Sequence, residues 1–314
     1  MQEVTKFYPV LIPTLNRYEH FKKCVESLSR NTHADKTELV IGLDYPPCDK
    51  YEEGYLKIKS YIPTINGFEK VTVIEHNKNV GAGENIKSLR EYANKHYEAS
   101  ISTEDDNEFA PNFLDYMNKA LSKYEHDSNV LSVSGYCHPD FQYDGESTTC
   151  FSYEVSAWGI GFWRSKMPSF DKKDNRKYFE DFLLNIKLSF RIMRMCPSVF
   201  NMLPGVMHYN LPDVKLGIYN MIEGTTQLRP TKTLVKNWGY DGSGVNCNSS
   251  DKRLEEQCLS NDVVFRFTKT VLSANSLECN RYYRSMNVPK KLFKRYKYYF
   301  AVYRNYFSYL LRHL

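Results

Sequence analysis

The sequence predicts an α/β fold: a mostly parallel sheet flanked by helices, an irregular second half and a basic helical tail. Three observations carry that expectation. Apolar runs of strand length alternate with helix-period stretches from residue 7 to residue 136. The pattern loosens after about residue 150, where Gly, Pro and aromatic residues mix. Residues 281–314 then hold nine Lys/Arg and no Asp or Glu. Strands that alternate with helices pair in parallel through right-handed crossovers, and ligands then sit beyond the carboxyl ends of the strands.

Residues 7–13 (FYPVLIP) form a short apolar run ending at proline, the pattern of a buried strand. Asn16 is placed to cap a helix over about 18–30, with Phe21, Val25 and Leu28 at helical spacing. A second strand, 38–44 (ELVIGLD), stops at Tyr45-Pro46-Pro47. A helix over 51–62 and a third strand over 71–75 follow. Residues 85–97 read as helix, and 99–103 lead into an acidic cluster. Phe113, Met117 and Leu121 share a helix face after Pro111, and 130–136 make a further strand. One long helix is expected over 177–194, and 204–250, rich in Gly, Pro and Asn, looks loop-like.

Composition narrows the class. The chain has 314 residues, 42% hydrophobic and 25% charged, with 25 Tyr and 18 Phe, which excludes a disordered or fibrous chain. The eight cysteines include no C-x-x-C pair, so neither a structural zinc site nor a disulfide framework is expected. No signal peptide is expected from MQEVTKFYPV, and no window reaches 18 apolar residues. The net charge of +5 belongs to the tail; the remainder has 33 basic and 37 acidic residues.

The strongest local signal is Ser102-Thr103-Glu104-Asp105-Asp106-Asn107-Glu108, at the end of an expected buried strand. Adjacent carboxylates repel unless a cation offsets them, and Mg²⁺ or Mn²⁺ takes one or two carboxylates plus substrate phosphates. A solvated acidic turn, with Asn107 and Glu108 capping the next helix, competes with that reading. A second signal is Pro13-Thr14-Leu15-Asn16-Arg17 after the first strand, with Asp44 ending the second.

With Asn79-Val80-Gly81-x-Gly83-x-Asn85, these residues resemble the nucleotide-binding half of the GT-A glycosyltransferases, family 2 in particular. Residues 104–113 (EDDNEFAPNF) also resemble the Glu-Asp-Asp metal motif of the N-acetylglucosaminyltransferase I type. The resemblance covers about residues 7–250 and implies a GT-A fold, a UDP-sugar donor and a Mn²⁺ or Mg²⁺ cofactor. Its nucleotide-binding half would span 1–135 and its acceptor half 136–280. By that likeness Pro13, Thr14, Asn16, Arg17, Gly81 and Asn85 lie near the nucleotide, and Asp44 accepts from the uracil N3–H. Asp106 would be the metal ligand, with Glu104 and Asp105 contacting ribose, sugar or the metal's waters. A cation there offsets the charge that develops on a departing diphosphate.

Glu180-Asp181, at the start of the expected long helix, resembles the family's Glu-Asp pair on the acceptor side, one of which would be the base of an inverting transfer. Two carboxylates in a first helical turn also simply complement the helix dipole. Trp158-Gly159-Ile160-Gly161-Phe162-Trp163 offers flat aromatic faces for a sugar, against core packing as the plain alternative. Residues 237–246 (NWGYDGSGVN) resemble a C-terminal family segment whose last position is often His. Here that position is Asn246, which leaves His208 as the alternative imidazole ligand.

In the tail, Leu292, Tyr296, Tyr299, Phe300, Tyr303, Phe307, Leu310 and Leu311 fall three or four apart, one apolar face on a basic helix. Such helices lie in the interface of anionic membranes. Peripheral membrane contact through 285–314 is therefore expected, on the cytoplasmic face of a bacterial membrane where a lipid-linked saccharide would be the acceptor. Packing on the domain, or a homodimer interface, is the competing reading. Nucleic-acid binding is not expected, because the body carries no matching basic patch. A nucleotidyltransferase would show a Gly-rich loop after the first strand, which residues 13–17 lack. A non-catalytic carbohydrate-binding scaffold on the same fold is the other alternative.

Overall fold

The computed structural model describes residues 4–141, 143, 147–167, 175–200, 212–239, 252–270, 272–286 and 288–313. Its first half follows the alternation in the sequence: β1 (Val10–Thr14), α1 (Tyr18–Ser29), β2 (Glu38–Leu43), α2 (Glu52–Tyr61), β3 (Lys70–Glu75), α3 (Gly81–His96) and β4 (Ala99–Ser102). Then come β5 (Asn107–Phe109), α4 (Phe113–Lys123), β6 (Val130–Ser134), β7 (Thr149–Ser152) and β8 (Ile160–Trp163). The rest of the chain adds α5 (Asn175–Leu184), α6 (Ile186–Met195), α7 (Pro212–Glu223), β9 (Thr226–Pro230) and β10 (Val235–Asn237). It ends with α8 (Lys252–Glu255), α9 (Ala274–Met286) and α10 (Leu292–His313).

Eight strands form one sheet in the order β3-β2-β1-β4-β8-β6-β9-β7, and β5 pairs with β10 apart from it. The β3-β2-β1-β4 half is parallel. The other half is mixed: β8 runs antiparallel to both β4 and β6, and β7 antiparallel to β9, while β6 and β9 are parallel. Parallel pairings in the sheet outnumber antiparallel ones, as expected of a mostly parallel sheet, and the antiparallel ones all lie beyond β4. Strands β1 and β2 read as continuous apolar runs because helices cover both faces. Leu11 and Val40 pack on Leu89 and Ala93 of α3, while Val10, Ile12, Leu39 and Ile41 face Phe21, Val25 and Leu28 of α1.

Four local expectations are corrected. Arg17, not Asn16, is the N-cap residue of α1, and no side chain bonds there. Asn107 and Glu108 belong to β5 and cap nothing; their backbones pair with Asn237 and Lys236 of β10. The long helix over 177–194 is two helices, because the Asn185 side chain accepts from the Leu188 N–H at 3.0 Å and starts α6. The stretch 204–250 contains α7, β9 and β10. Strand β9 was hidden because its buried side chains are polar: Gln227 donates to the Ser132 hydroxyl at 3.1 Å inside the sheet.

The tail packs on the body. Helix α9 crosses residue 281 and is tied to β7 by Ser276 and Asn280, which bond the Phe151 and Tyr153 amides at 2.9 and 3.0 Å. Val302, Tyr306 and Leu310 of α10 are buried with Phe182 and Leu183 of α5 and Ile192 of α6. Burial of a side chain of this size is worth roughly 1.5–3 kcal/mol. The Tyr306 hydroxyl adds a bond to the Leu183 carbonyl at 3.1 Å. The single apolar face expected there is two faces: Leu292, Phe293, Tyr296, Phe300, Phe307 and Leu311 are exposed.

Candidate functional site

Strands β1, β2 and β4 end on one edge of the parallel half, and the acidic turn follows β4 directly. There Thr14 donates to Asp105 Oδ2 at 2.9 Å. The Arg17 guanidinium lies between the two aspartates, donating to Asp105 Oδ1 through one nitrogen and ion-paired with Asp106 Oδ2 at 2.9 Å through the other. Asp105 and Asp106 are both buried. Burial and the neighbouring Asp106 charge hold Asp105 above the usual carboxylate range, although Arg17 and Thr14 pull it down. Glu104, next to them in the turn, is exposed. Desolvation, then the charges of Asp106 and Asp105, push it up to about 7.

The partners that fix Asp106 come from the far end of the chain. Asn237 donates to Asp106 Oδ1 at 2.7 Å and to Asn107 Oδ1 at 2.9 Å. The Trp238 N–H reaches the Asp106 carbonyl at 2.8 Å. The Trp238 indole donates to Glu108 at 2.7 Å, with the Lys23 ammonium 3.3 Å from its ring centre. Gly239 comes so close that a Cβ on it would stand 2.3 Å from Asp106 Oδ2. Pairing of β10 with β5 is what delivers these residues. The only sequence signal for them was the NWG stretch, noted for likeness rather than for contact.

Three carboxyls against one guanidinium leave an excess of negative charge, and every donor is oxygen. That set fits a hard divalent cation sharing Asp106 with a ligand's phosphates. Among the described residues no group of three or more His, Cys, Asp and Glu side chains makes a cage by itself. His208 and Asn246 lie outside the described residues.

Other expected site residues are placed differently. Both Asp44 oxygens are engaged, by the N–H groups of Tyr45, Val80 and Gly81 at 2.9 Å and by Asn79 at 3.1 Å. Asp44 thus anchors the entry of α3, and a nucleobase would reach it only by displacing one of these donors. Asn85 is turned inward: it donates to the Gly42 carbonyl at 2.9 Å and clamps α3 to β2. Pro13 lies in β1 opposite Gly42, and the Asn16 carbonyl abuts Gly54 of α2.

Trp163 is core, not a sugar wall: it is 1% exposed and its indole donates to the Leu121 carbonyl at 3.0 Å. Trp158 is half-buried and packs edge-on against Tyr136. It lines a cavity of about 210 Å³ with Glu154, Asp213 and Arg229. Gly159 holds φ +60°, and a Cβ there would strike the Phe113 ring at 2.8 Å. Burial pushes Glu154 up to about 7; Arg229 pulls it down and Asp213 pushes it up.

Asp181 is exposed on α5 and pairs with Lys177 at 2.8 Å, while Glu180 is half-buried. Helix α5 is held to α7 by the Tyr178 hydroxyl, which donates to Glu223 at 2.7 Å. No described helix is long and apolar enough to cross a membrane.

Comparison with known proteins gives one family match: the model described as Glycosyl transferase family 2 covers residues 10–191, more than half of the chain. No curated protein matches. Solved structures with similarity include a mannosyltransferase from Pyrobaculum calidifontis in complex with GDP-Man and Mn²⁺, at 17% identity and TM-score 0.40, over 54% of this chain and 48% of that one. TarS of S. aureus in complex with UDP-GlcNAc matches at 16% identity and TM-score 0.36, over 53% and 48%. GalNAc-T7 with UDP, GalNAc and Mn²⁺ matches at 14% identity and TM-score 0.47, over 76% and 45%. The match spans about half the length of each of these structures.

Proposed function

The chain belongs to glycosyl transferase family 2 and is a glycosyltransferase; from that premise we propose an inverting, divalent-metal-dependent transfer from a UDP-sugar to a saccharide or lipid-linked saccharide of a surface polysaccharide. The observation that carries the reading is Asp106, fixed at the end of β4 by Arg17, Asn237 and the close approach of Gly239.

In a single displacement the acceptor hydroxyl attacks the anomeric carbon from the face opposite the diphosphate. The acceptor proton goes to a base on α5, the bond to the diphosphate oxygen breaks, and UDP leaves with the electron pair. A bound Mn²⁺ or Mg²⁺, held by Asp106, would neutralise charge on that leaving group. Asn237 and Gly239 keep the Asp106 carboxylate in one orientation, so that little reorganisation is needed as charge develops. Glu104, which is exposed, would face the ribose or the sugar, and Asp105, buried on Thr14 and Arg17, would reach them only by giving up one of those partners. Trp158 would supply the flat wall for sugar C–H faces, at the mouth of the cavity that holds Glu154.

For the base, Asp181 is favoured over Glu180 by the family's pattern. Asp181→Asn should lower kcat about 10²-fold or more with donor binding unchanged, and Glu180→Gln should be milder. The test is UDP release from a panel of UDP-sugars, with and without Mn²⁺, followed by the anomeric configuration of the product. Metal-dependent release and an inverted anomer are expected. A retained anomer would refute the displacement, and UDP binding with no turnover would favour a scaffold.

A further inference from the structure

Helix α10 carries two apolar faces, and the fold covers only one of them. Val302, Tyr306 and Leu310 are sealed against α5 and α6, so the helix is fixed to the body rather than tethered by a loop. On the other side Phe293 is 70% exposed, Tyr296 75%, Phe300 62%, Phe307 48% and Leu311 85%. At the helical turn per residue these five fall in one stripe about 60° wide. Lys297 and Arg304 border the stripe, with Lys294 and Arg312 next around the helix; all four are exposed.

We propose that this stripe seats the protein on the surface of an anionic lipid bilayer, with α10 lying in the interfacial plane. Charge selects that occupant. No Asp or Glu occurs in residues 281–314, so no acidic side chain of the helix itself offsets its cations. Two copies packed through the same face would set these cations against one another. A bilayer of anionic headgroups instead pairs each cation while the aromatic rings enter the acyl boundary. The rest of the chain has a net negative charge and is repelled by such a surface, which leaves α10 as the contact and fixes the orientation. Contact is peripheral, since no described helix can span the membrane. The inference does not depend on the donor chemistry, because vesicle binding is read without nucleotide.

The experiment is sedimentation of the full chain with vesicles of phosphatidylcholine alone and of phosphatidylcholine with phosphatidylglycerol. Binding is expected only where phosphatidylglycerol is present. A Phe293→Ser/Phe300→Ser/Phe307→Ser variant should bind such vesicles roughly tenfold more weakly or worse, and so should Lys294→Glu/Lys297→Glu. Both should unfold thermally with wild-type cooperativity, because the altered side chains lie outside the buried cluster, Phe307 keeping only an edge contact with Phe190. If the triple variant fails to fold, the double charge variant carries the test. Wild-type protein that stays in the supernatant with both vesicle types overturns the proposal. So does a dimer, seen by light scattering, that the triple variant makes monomeric while vesicle binding is unchanged.

Discussion

Asp106 is held from three directions, and two of its holders lie more than 130 residues away in sequence. Asn237 bonds one carboxylate oxygen, and Gly239 leaves room for the other only because it has no side chain. In Gly239→Ala a methyl group would stand 2.3 Å from Asp106 Oδ2 and 3.1 Å from Asn237 Oδ1, so the carboxylate must move. A displacement near 1 Å in a reacting constellation costs on the order of 10²-fold in rate. Gly239→Ala should therefore lose about that much kcat/KM while keeping its circular dichroism and thermal transition. Unchanged turnover would show that Asp106 need not sit where β10 holds it. Arg17 shows the same economy in reverse: expected as a nucleotide contact, it is seated in this structure as the counter-ion of Asp105 and Asp106.

At the scale of elements, the β2–β3–α3 corner hangs on a buried carboxylate. Glu38, 5% exposed, accepts from Tyr92 and Tyr97 at 2.8 and 2.6 Å, from Thr72, and pairs with Lys70 at 2.9 Å. Burial alone would raise its pKa, but these four partners outweigh it and bring it down to about 2 from the ordinary 4.5. A pKa lowered by folding contributes stability above the unfolded value and loses it as pH falls toward the folded one. The wild-type melting temperature should thus drop between about pH 4.5 and pH 2 more steeply than that of Glu38→Gln, which starts lower and flatter. Parallel curves would remove Glu38 from the account. Helix α5 ends at Leu184 because Asn185 satisfies the next helix's amide, so the helix that carries Glu180 and Asp181 is short.

Across the whole molecule, legibility followed chemistry. The β1, β2 and β4 runs were visible because sheets covered on both faces need apolar residues at nearly every position. The acidic turn was visible because three adjacent carboxyls at a strand end are unusual. Strand β9 was not, since Gln227 and Arg229 are buried there on hydrogen bonds instead of apolar contacts. Asn237 and Gly239 were unreadable as site residues because only the antiparallel β5–β10 pair joins them to Asp106. Trp163 lies in β8 and is buried against α4, whereas Trp158 lies in the turn before that strand, and a five-residue spacing across glycines does not show the difference. The two faces of α10 were merged into one because periodicity reports apolar positions, not which are already covered.

The central claim is that Asp106 anchors a cation-dependent nucleotide site at the end of β4. Calorimetric titration of UDP, GDP and CMP, each with and without Mn²⁺, tests it on wild type and Asp106→Ala. The account predicts that UDP binds wild type only with Mn²⁺, and that the variant binds none of the three. UDP binding that is equal without metal and in Asp106→Ala, or no nucleotide binding under any condition, would contradict it.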